Sequence, residues 1–138
     1  MREDIRWQQR FDNFNRAFVL LREVQERGID SLSRLEQEGA IQRFEFAYEL
    51  AWKTLKDYLE AQGVAIREAA PRTVIKEAFS VGILEDAQVW MEILQQRNLL
   101  SHTYDFKTFE QALQKLSERY FLAFERLHTF FLHKSLEP

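Results

Sequence analysis

Apolar residues recur at spacings of four and three along the first part of the chain, which is the period of one face of an α-helix. The stripe is rich in aromatic rings and consists of Trp7, Phe11, Phe14, Phe18 and Leu21. This pattern predicts a first helix over about residues 3–27. Gly28 should end that helix, because glycine readily adopts the left-handed conformation that follows many helices.

A second helix, predicted over about residues 40–62, carries apolar residues on two sides. One stripe consists of Ile41, Phe44, Tyr48, Trp52, Leu55 and Leu59. Phe46 and Leu50 point nearly opposite to that stripe when the sequence is projected onto a helix. A helix with two apolar faces is either enclosed in a core or shared between a core and a subunit interface. For a four-helix protein of this length, the second option predicts a homodimer.

Glycine and proline separate the remaining helices. Pro71 suits the first turn of a short helix over about residues 71–80, which Gly82 should terminate. The next helix is predicted over about residues 84–102, and the last begins near Phe106. Residues 29–38 should form a polar connection. The pattern therefore predicts an all-α fold, an antiparallel four-helix bundle with one additional short helix, in which residues 1–138 form a single domain.

Charge and composition narrow the chemistry. A net charge of −3 argues against general nucleic-acid binding, which depends on a surplus of Lys and Arg. The chain has no cysteine, and its three histidines lack the spacing of the metalloenzyme helix motif, so we expect neither a metal site nor a cofactor. No apolar run is long enough for a membrane span, and the N-terminus is too charged for a secretory signal. A cytoplasmic location is expected.

Arg97 stands where the helical pattern calls for an apolar residue. Ile83, Ala87, Trp90, Ile93, Leu94 and Tyr104 form one stripe of the predicted helix, and Arg97 falls near its centre. A charge in such a place must be paired, because an isolated buried charge is costly. One interpretation is a structural ion pair with Glu45 or Glu49, which flank the apolar stripe of the second helix.

Asn98, His102 and Tyr104 surround Arg97 in the helical projection and offer a second interpretation. A fixed cation, an imidazole that titrates near neutral pH and an amide are the groups that phosphate chemistry needs. Alternatively, His102 caps a helix end and Tyr104 is a core ring. The Arg-to-His spacing alone does not decide between these interpretations, because Arg126 and His133 form a similar pair.

The longer string "RNLLSHTYD", residues 97–105, resembles the R-x4-H-x-Y motif of the HEPN superfamily. Two earlier stretches, "QRFEFAYELAWKTLKDYL" from residue 42 and "PRTVIKEAFSVGIL" from residue 71, are similar to the branch called nucleotidyltransferase substrate-binding proteins. The three blocks occur in the order that the family has. The resemblance covers about residues 5–130 and implies a HEPN-like homodimeric helical bundle.

The resemblance also implies a partner, a minimal nucleotidyltransferase, with which such proteins form a two-component complex of the toxin–antitoxin kind. The first functional hypothesis is accordingly a helical, substrate-binding partner subunit that also contacts RNA or nucleotide. The alternative is a metal-independent endoribonuclease acting at a dimer interface. In that alternative His102 is the general acid/base, Arg97 stabilises the phosphorane and Asn98 orients the phosphate or the imidazole.

Tyr104 matches the tyrosine that the partner adenylylates in some members, which would silence a nuclease. Glu45, Glu49 and Lys53 are supporting candidates for the site, although pairing of Glu49 with Lys53 four residues later explains part of that pattern without function. A third hypothesis is a purely structural bundle in which Arg97 pairs with Glu45 or Glu49.

Overall fold

The computed structural model describes the backbone of residues 2–102 and 105–137, with side chains from residue 5 onwards. The described residues contain no strand, so the predicted all-α fold is confirmed. The helices are α1 (Arg2–Arg27), α2 (Arg34–Ala61), α3 (Pro71–Ser80), α4 (Ala87–Leu100), α5 (Phe106–Lys115) and α6 (Phe121–Ser135). A π-helical segment, Leu116–Tyr120, joins α5 to α6 in one continuous rod.

α2 begins at Arg34, six residues before the predicted start near residue 40. Ser33 supplies a capping box: its Oγ accepts the Glu36 backbone N–H at 3.1 Å, and its own N–H donates to Glu36 Oε1 at 2.9 Å. These two bonds satisfy donors that would otherwise be unpaired at a helix start. The predicted polar connection is therefore mostly the first turns of α2, preceded by a short 3-10 turn, Ile29–Ser31.

α4 is shorter at both ends than the predicted residues 84–102. Asp86 is its N-cap, with a side-chain oxygen accepting the Val89 N–H at 3.2 Å. The helix ends at Leu100, where the His102 N–H donates to the Leu99 carbonyl at 3.1 Å and closes a tighter turn. The prediction that the helix reaches His102 was wrong. α3 and its termination at Gly82, which has φ of 84°, agree with the prediction.

Ion pairs show the direction of the first two helices. Arg10 of α1 pairs with Asp57 of α2, whereas Arg27 near the end of α1 pairs with Glu36 near the start of α2. The two helices are therefore antiparallel, and α6 packs on α1 with Phe131 beside Trp7. The largest side chains enclosed between the helices are Phe14, Phe18, Phe44, Tyr48, Tyr120, Phe124 and Phe131. Trp52 and Trp90 lie in the core, as their positions on the apolar stripes predicted.

The second apolar face of α2 is narrow. Phe46 is 57% exposed, while Leu50 is partly buried and packs against the core. The homodimer that this face predicts stays a prediction. No helix in the described part of the chain is long and apolar enough to cross a membrane.

Candidate functional site

Arg97 lies on the buried side of α4, one turn beyond Ile93 and Leu94, and its side chain is 27% exposed. It faces α2 at a place where two carboxylates are one helical turn apart. Arg97 Nε is 3.7 Å from Glu45 Oε2, and Arg97 Nη2 is 4.0 Å from Glu49 Oε1. The structure thus brings Arg97 to both of the carboxylates that the sequence offered as partners.

Glu49 connects this ion pair to two further side chains of α2. Its Oε2 accepts a hydrogen bond from Trp52 Nε1 at 3.3 Å and lies 3.6 Å from Lys53 Nζ. The Lys53 ammonium also lies 5.9 Å from the centre of the Trp52 ring. Two cations and two anions therefore meet on this surface, so the cluster is electrically balanced and the buried Trp52 holds the Glu49 carboxylate in place.

The contacts of Arg97 with the carboxylates are ion pairs without hydrogen bonds. Arg97 Nε is buried and donates to no described residue, so the exposed part of the side chain is made of other atoms. The Tyr48 hydroxyl is likewise buried and bonded to no described residue, in a side chain that is 1% exposed. Burial raises the pKa of Tyr48, the Glu49 charge adds to that increase, and Arg97 opposes it. The hydroxyl is therefore neutral at physiological pH.

Asn98 and His102 lie beyond Arg97 with exposed side chains. The Asn98 carbonyl accepts a hydrogen bond from Ser101 Oγ at 2.7 Å, which helps to end α4. Neither the Asn98 amide nor the His102 imidazole bonds to a side chain within residues 5–102 or 105–137. His102 belongs to the turn after α4 and does not share a helical face with Asn98. Tyr104, predicted to lie above Arg97, falls outside the described residues.

This arrangement can hold an anion. A guanidinium that is held near carboxylates at 3.7–4.0 Å keeps hydrogen-bonding capacity for a phosphate. An exposed imidazole, that of His102, lies five residues later in the chain. Within the described residues, no three His, Asp or Glu side chains gather where they could hold a metal ion. Among the described members of the predicted set, Arg97, Glu45, Glu49 and Lys53 are joined by ion pairs, whereas the side chains of Asn98 and His102 are exposed and outside these pairs.

Sequence reasoning missed two features of this surface. Tyr48 lies in the core as its stripe predicted, but the pattern did not show that its hydroxyl would be buried without a bond to any described residue. Arg34, in the first turn of α2, has its guanidinium 4.0 Å from the centre of the Phe106 ring, just after the turn that contains His102. The Phe106 contact depends on how α5 folds back and has no local signal in the sequence.

Comparison with known proteins identifies the family. A family model described as "Nucleotidyltransferase substrate binding protein like" matches residues 9–133. A 70-residue segment is 36% identical to the "Probable ribonuclease HepT" of Haemophilus influenzae and covers 49% of this chain and 48% of that protein. The match thus spans about half the length of the curated relative. Because the family model covers nearly the whole chain, this protein belongs to the family of nucleotidyltransferase substrate-binding proteins.

Proposed function

We propose that this chain is the helical partner subunit of a minimal nucleotidyltransferase, in a two-component complex of the toxin–antitoxin kind. The family match over residues 9–133 supports the partner, and the Arg97 cluster supplies a surface suited to a nucleotide or RNA phosphate. The cluster carries the proposal because a partly exposed guanidinium with unused donors is the group that recognises phosphate in proteins.

The chemistry of this surface follows from its charges. Glu45 and Glu49 hold the guanidinium between α2 and α4 but do not saturate its donors. An incoming phosphate would form charge-assisted hydrogen bonds to the exposed nitrogens of Arg97 and displace the looser carboxylate contacts. Lys53 is close enough to Glu49 to neutralise the released carboxylate.

Complex formation is tested by light scattering after size-exclusion chromatography of this protein mixed with the minimal nucleotidyltransferase of the same organism. The proposal predicts one peak whose mass is the sum of both chains in a fixed ratio. Two separate peaks, each with the mass measured for its protein alone, at concentrations of tens of micromolar would contradict it. A mixture with an unrelated nucleotidyltransferase of similar size serves as the control.

A second candidate function is a metal-independent endoribonuclease, and one observation favours it. The exposed His102 imidazole follows Arg97 closely in the chain, and no described side chain engages it. In this role His102 removes the proton of the RNA 2′-hydroxyl, whose oxygen attacks the adjacent phosphorus while Arg97 stabilises the added negative charge. The P–O5′ bond then breaks, the 5′-oxygen leaves as a hydroxyl with a proton from the imidazolium or from water, and the other product is a 2′,3′-cyclic phosphate. Asn98 orients the phosphate or the imidazole. Two copies of the chain would contribute to one cleft.

Tyr104 is proposed as the site at which the nucleotidyltransferase modifies this subunit. A nucleotide added to Tyr104, seven residues after Arg97 in the chain, would bring a phosphate that competes with RNA for the Arg97 surface, and this would restrain the nuclease. The same chemistry therefore links the two candidate functions: the partner would control access to the Arg97 surface.

A further inference from the structure

We propose that Tyr48 is the positioning residue of Arg97: its hydroxyl accepts the Nε–H and fixes the inner edge of the guanidinium. The role extends the proposed function of the Arg97 surface and rests on it for its importance in catalysis or binding. Two unpaired buried atoms support it, since neither Tyr48 Oη nor Arg97 Nε bonds to a described residue.

Tyr48 lies on α2, at the part of the helix that Arg97 faces. Glu45 and Glu49, one turn apart, both contact the guanidinium, and Tyr48 lies between them in the sequence on the buried side of the helix. The charges of Glu49 and Arg97 both act on the Tyr48 hydroxyl, which is consistent with short separations among the three groups. The ring itself is enclosed in the core, so the hydroxyl has little freedom to turn elsewhere.

The two orphaned atoms are chemically complementary. The Nε–H is a donor with no acceptor among the described residues, and a neutral phenol offers lone pairs while it can donate its own proton. Leaving both unpaired in a buried place is costly, and a hydrogen bond between them, made by rotating the guanidinium, would remove that cost. The carboxylates at 3.7 and 4.0 Å do not hold the guanidinium tightly enough to prevent that rotation.

A neutral anchor also suits an anion site better than a charged one. Glu45 and Glu49 compete with a phosphate for the cation, whereas a tyrosine hydroxyl holds the Nε edge without adding negative charge. With Nε bonded inwards, the two Nη groups would point towards solvent in the side-by-side geometry that binds two phosphate oxygens.

The test compares Tyr48→Phe with Tyr120→Phe in the full chain. Both substitutions remove one hydroxyl from a buried ring, but Tyr120 lies beside Glu92 and Arg119, away from Arg97. The direct readout is the side-chain Nε–H signal of Arg97 in nitrogen-15 NMR spectra, assigned by its disappearance in Arg97→Lys. We expect Tyr48→Phe to shift this signal and to speed its exchange with water about tenfold, the size of one lost hydrogen bond to a charged group.

Kinetics provide the second readout. If the parent cleaves RNA, Tyr48→Phe should lower kcat about tenfold with little change in KM. The misaligned guanidinium would stabilise the transition state less than in the parent, whereas binding of the substrate in its ground state would change little. Tyr120→Phe should leave both the NMR signal and kcat unchanged.

An Arg97 signal that is the same in Tyr48→Phe and in the parent would overturn the proposal, whether or not RNA is cleaved. A shifted signal in a protein that cleaves no RNA would support the positioning role and count only against the nuclease function. A shifted signal with unchanged kcat in an active nuclease would show that the hydroxyl does not position Arg97 for the reaction, and it would overturn the proposal in that form.

Discussion

Arg97 pairs with two carboxylates that are themselves partly exposed. Their exposure limits how much the two ion pairs add to the stability of the fold. Pairs between partly hydrated charges at 3.7–4.0 Å contribute at most about 1 kcal/mol. The pair of Arg10 with Asp57 is different, because Asp57 is 3% exposed and accepts a hydrogen bond from Arg10 Nε at 3.0 Å. Loss of Arg10 would leave the buried carboxylate with the longer, 3.9 Å contact to Lys56 Nζ and without this hydrogen bond.

The two arginines therefore make a matched pair for a stability measurement. Arg97→Met should change the free energy of unfolding by less than about 1 kcal/mol, since water can reach the released carboxylates. Arg10→Met should cost about 2 kcal/mol because it removes a hydrogen bond to the buried Asp57 carboxylate, which keeps the longer contact with Lys56. Urea unfolding of both variants checks this. A loss in Arg97→Met as large as that in Arg10→Met would favour the purely structural interpretation of Arg97.

His128 is a packing residue that makes stability depend on pH. Its ring stacks on Phe18 with 4.3 Å between centres, and its Nε2 lies 2.6 Å from Asn15 Oδ1. Burial lowers the pKa of His128, and the nearby charge of Arg22 lowers it further. Folding therefore favours the neutral ring, and the unfolded chain binds the proton more tightly.

The sign of the effect follows from that shift. Stability contributed by neutral His128 is fully present above the unfolded-state pKa of about 6.5 and is lost as the pH falls towards the lower folded-state pKa. Between pH 7 and 5, His128→Gln should show a smaller drop in unfolding free energy than the parent, measured by urea titration at each pH. His133→Gln, at an exposed position, is the matched control. Equal slopes in the parent and in His128→Gln would contradict the assignment.

At the scale of helices, periodicity placed most elements correctly but misplaced the start of α2 and both ends of α4. The start of α2 was misplaced because Leu35 is exposed and breaks the apolar stripe, although Ser33 and Glu36 have the spacing of a capping box. The end of α4 has no glycine or proline, so the apolar pattern predicted a helix that continues to His102. The helix ends instead in tight turns at Ser101 and His102, and no residue pattern in this part of the sequence predicts them.

The same distinction explains how much of the site could be predicted. Arg97, Glu45 and Glu49 lie on or beside apolar stripes, so the sequence alone could pair them across two helices. The relation of Tyr48 to Arg97 depends on the depth and rotation of packed helices, which no residue pattern specifies. The expectation that Tyr104 shares a helical face with Arg97 assumed a continuous helix, whereas α4 ends at Leu100.

Because the capping box sets where α2 begins, Ser33→Ala should destabilise the protein by about 1 kcal/mol. For a domain of this size the corresponding decrease in Tm is about 3 °C. Calorimetry of the variant checks this, with Ser80→Ala as a control at an exposed serine that ends α3 without a side-chain bond to any described residue. A control that loses as much stability as Ser33→Ala would contradict the role of the cap.

At the scale of the whole molecule, the exposed Phe46 is the residue through which the predicted homodimer can be tested. Phe46→Asp would place a charge in an apolar contact and should convert a dimer into a monomer. Phe79→Asp changes a similarly exposed phenylalanine on α3 and should leave the dimer intact. Sedimentation equilibrium distinguishes these outcomes. A parent that is monomeric, or a Phe46→Asp variant that stays dimeric, would show that this face is not the interface.

Cleavage of RNA by the purified protein in EDTA tests most directly whether the Arg97 surface carries out phosphate chemistry. The comparison needs Arg97→Ala and His102→Ala of verified fold, with Arg126→Ala and His133→Ala as matched controls from the exposed side of α6. We predict cleavage by the parent and both controls, and a rate at least about a hundredfold lower in the two site variants. Cleavage that survives both site substitutions, or a folded parent that cleaves no RNA, would contradict a nuclease role of Arg97 and His102 and leave Arg97 to partner binding or to the stability of the bundle.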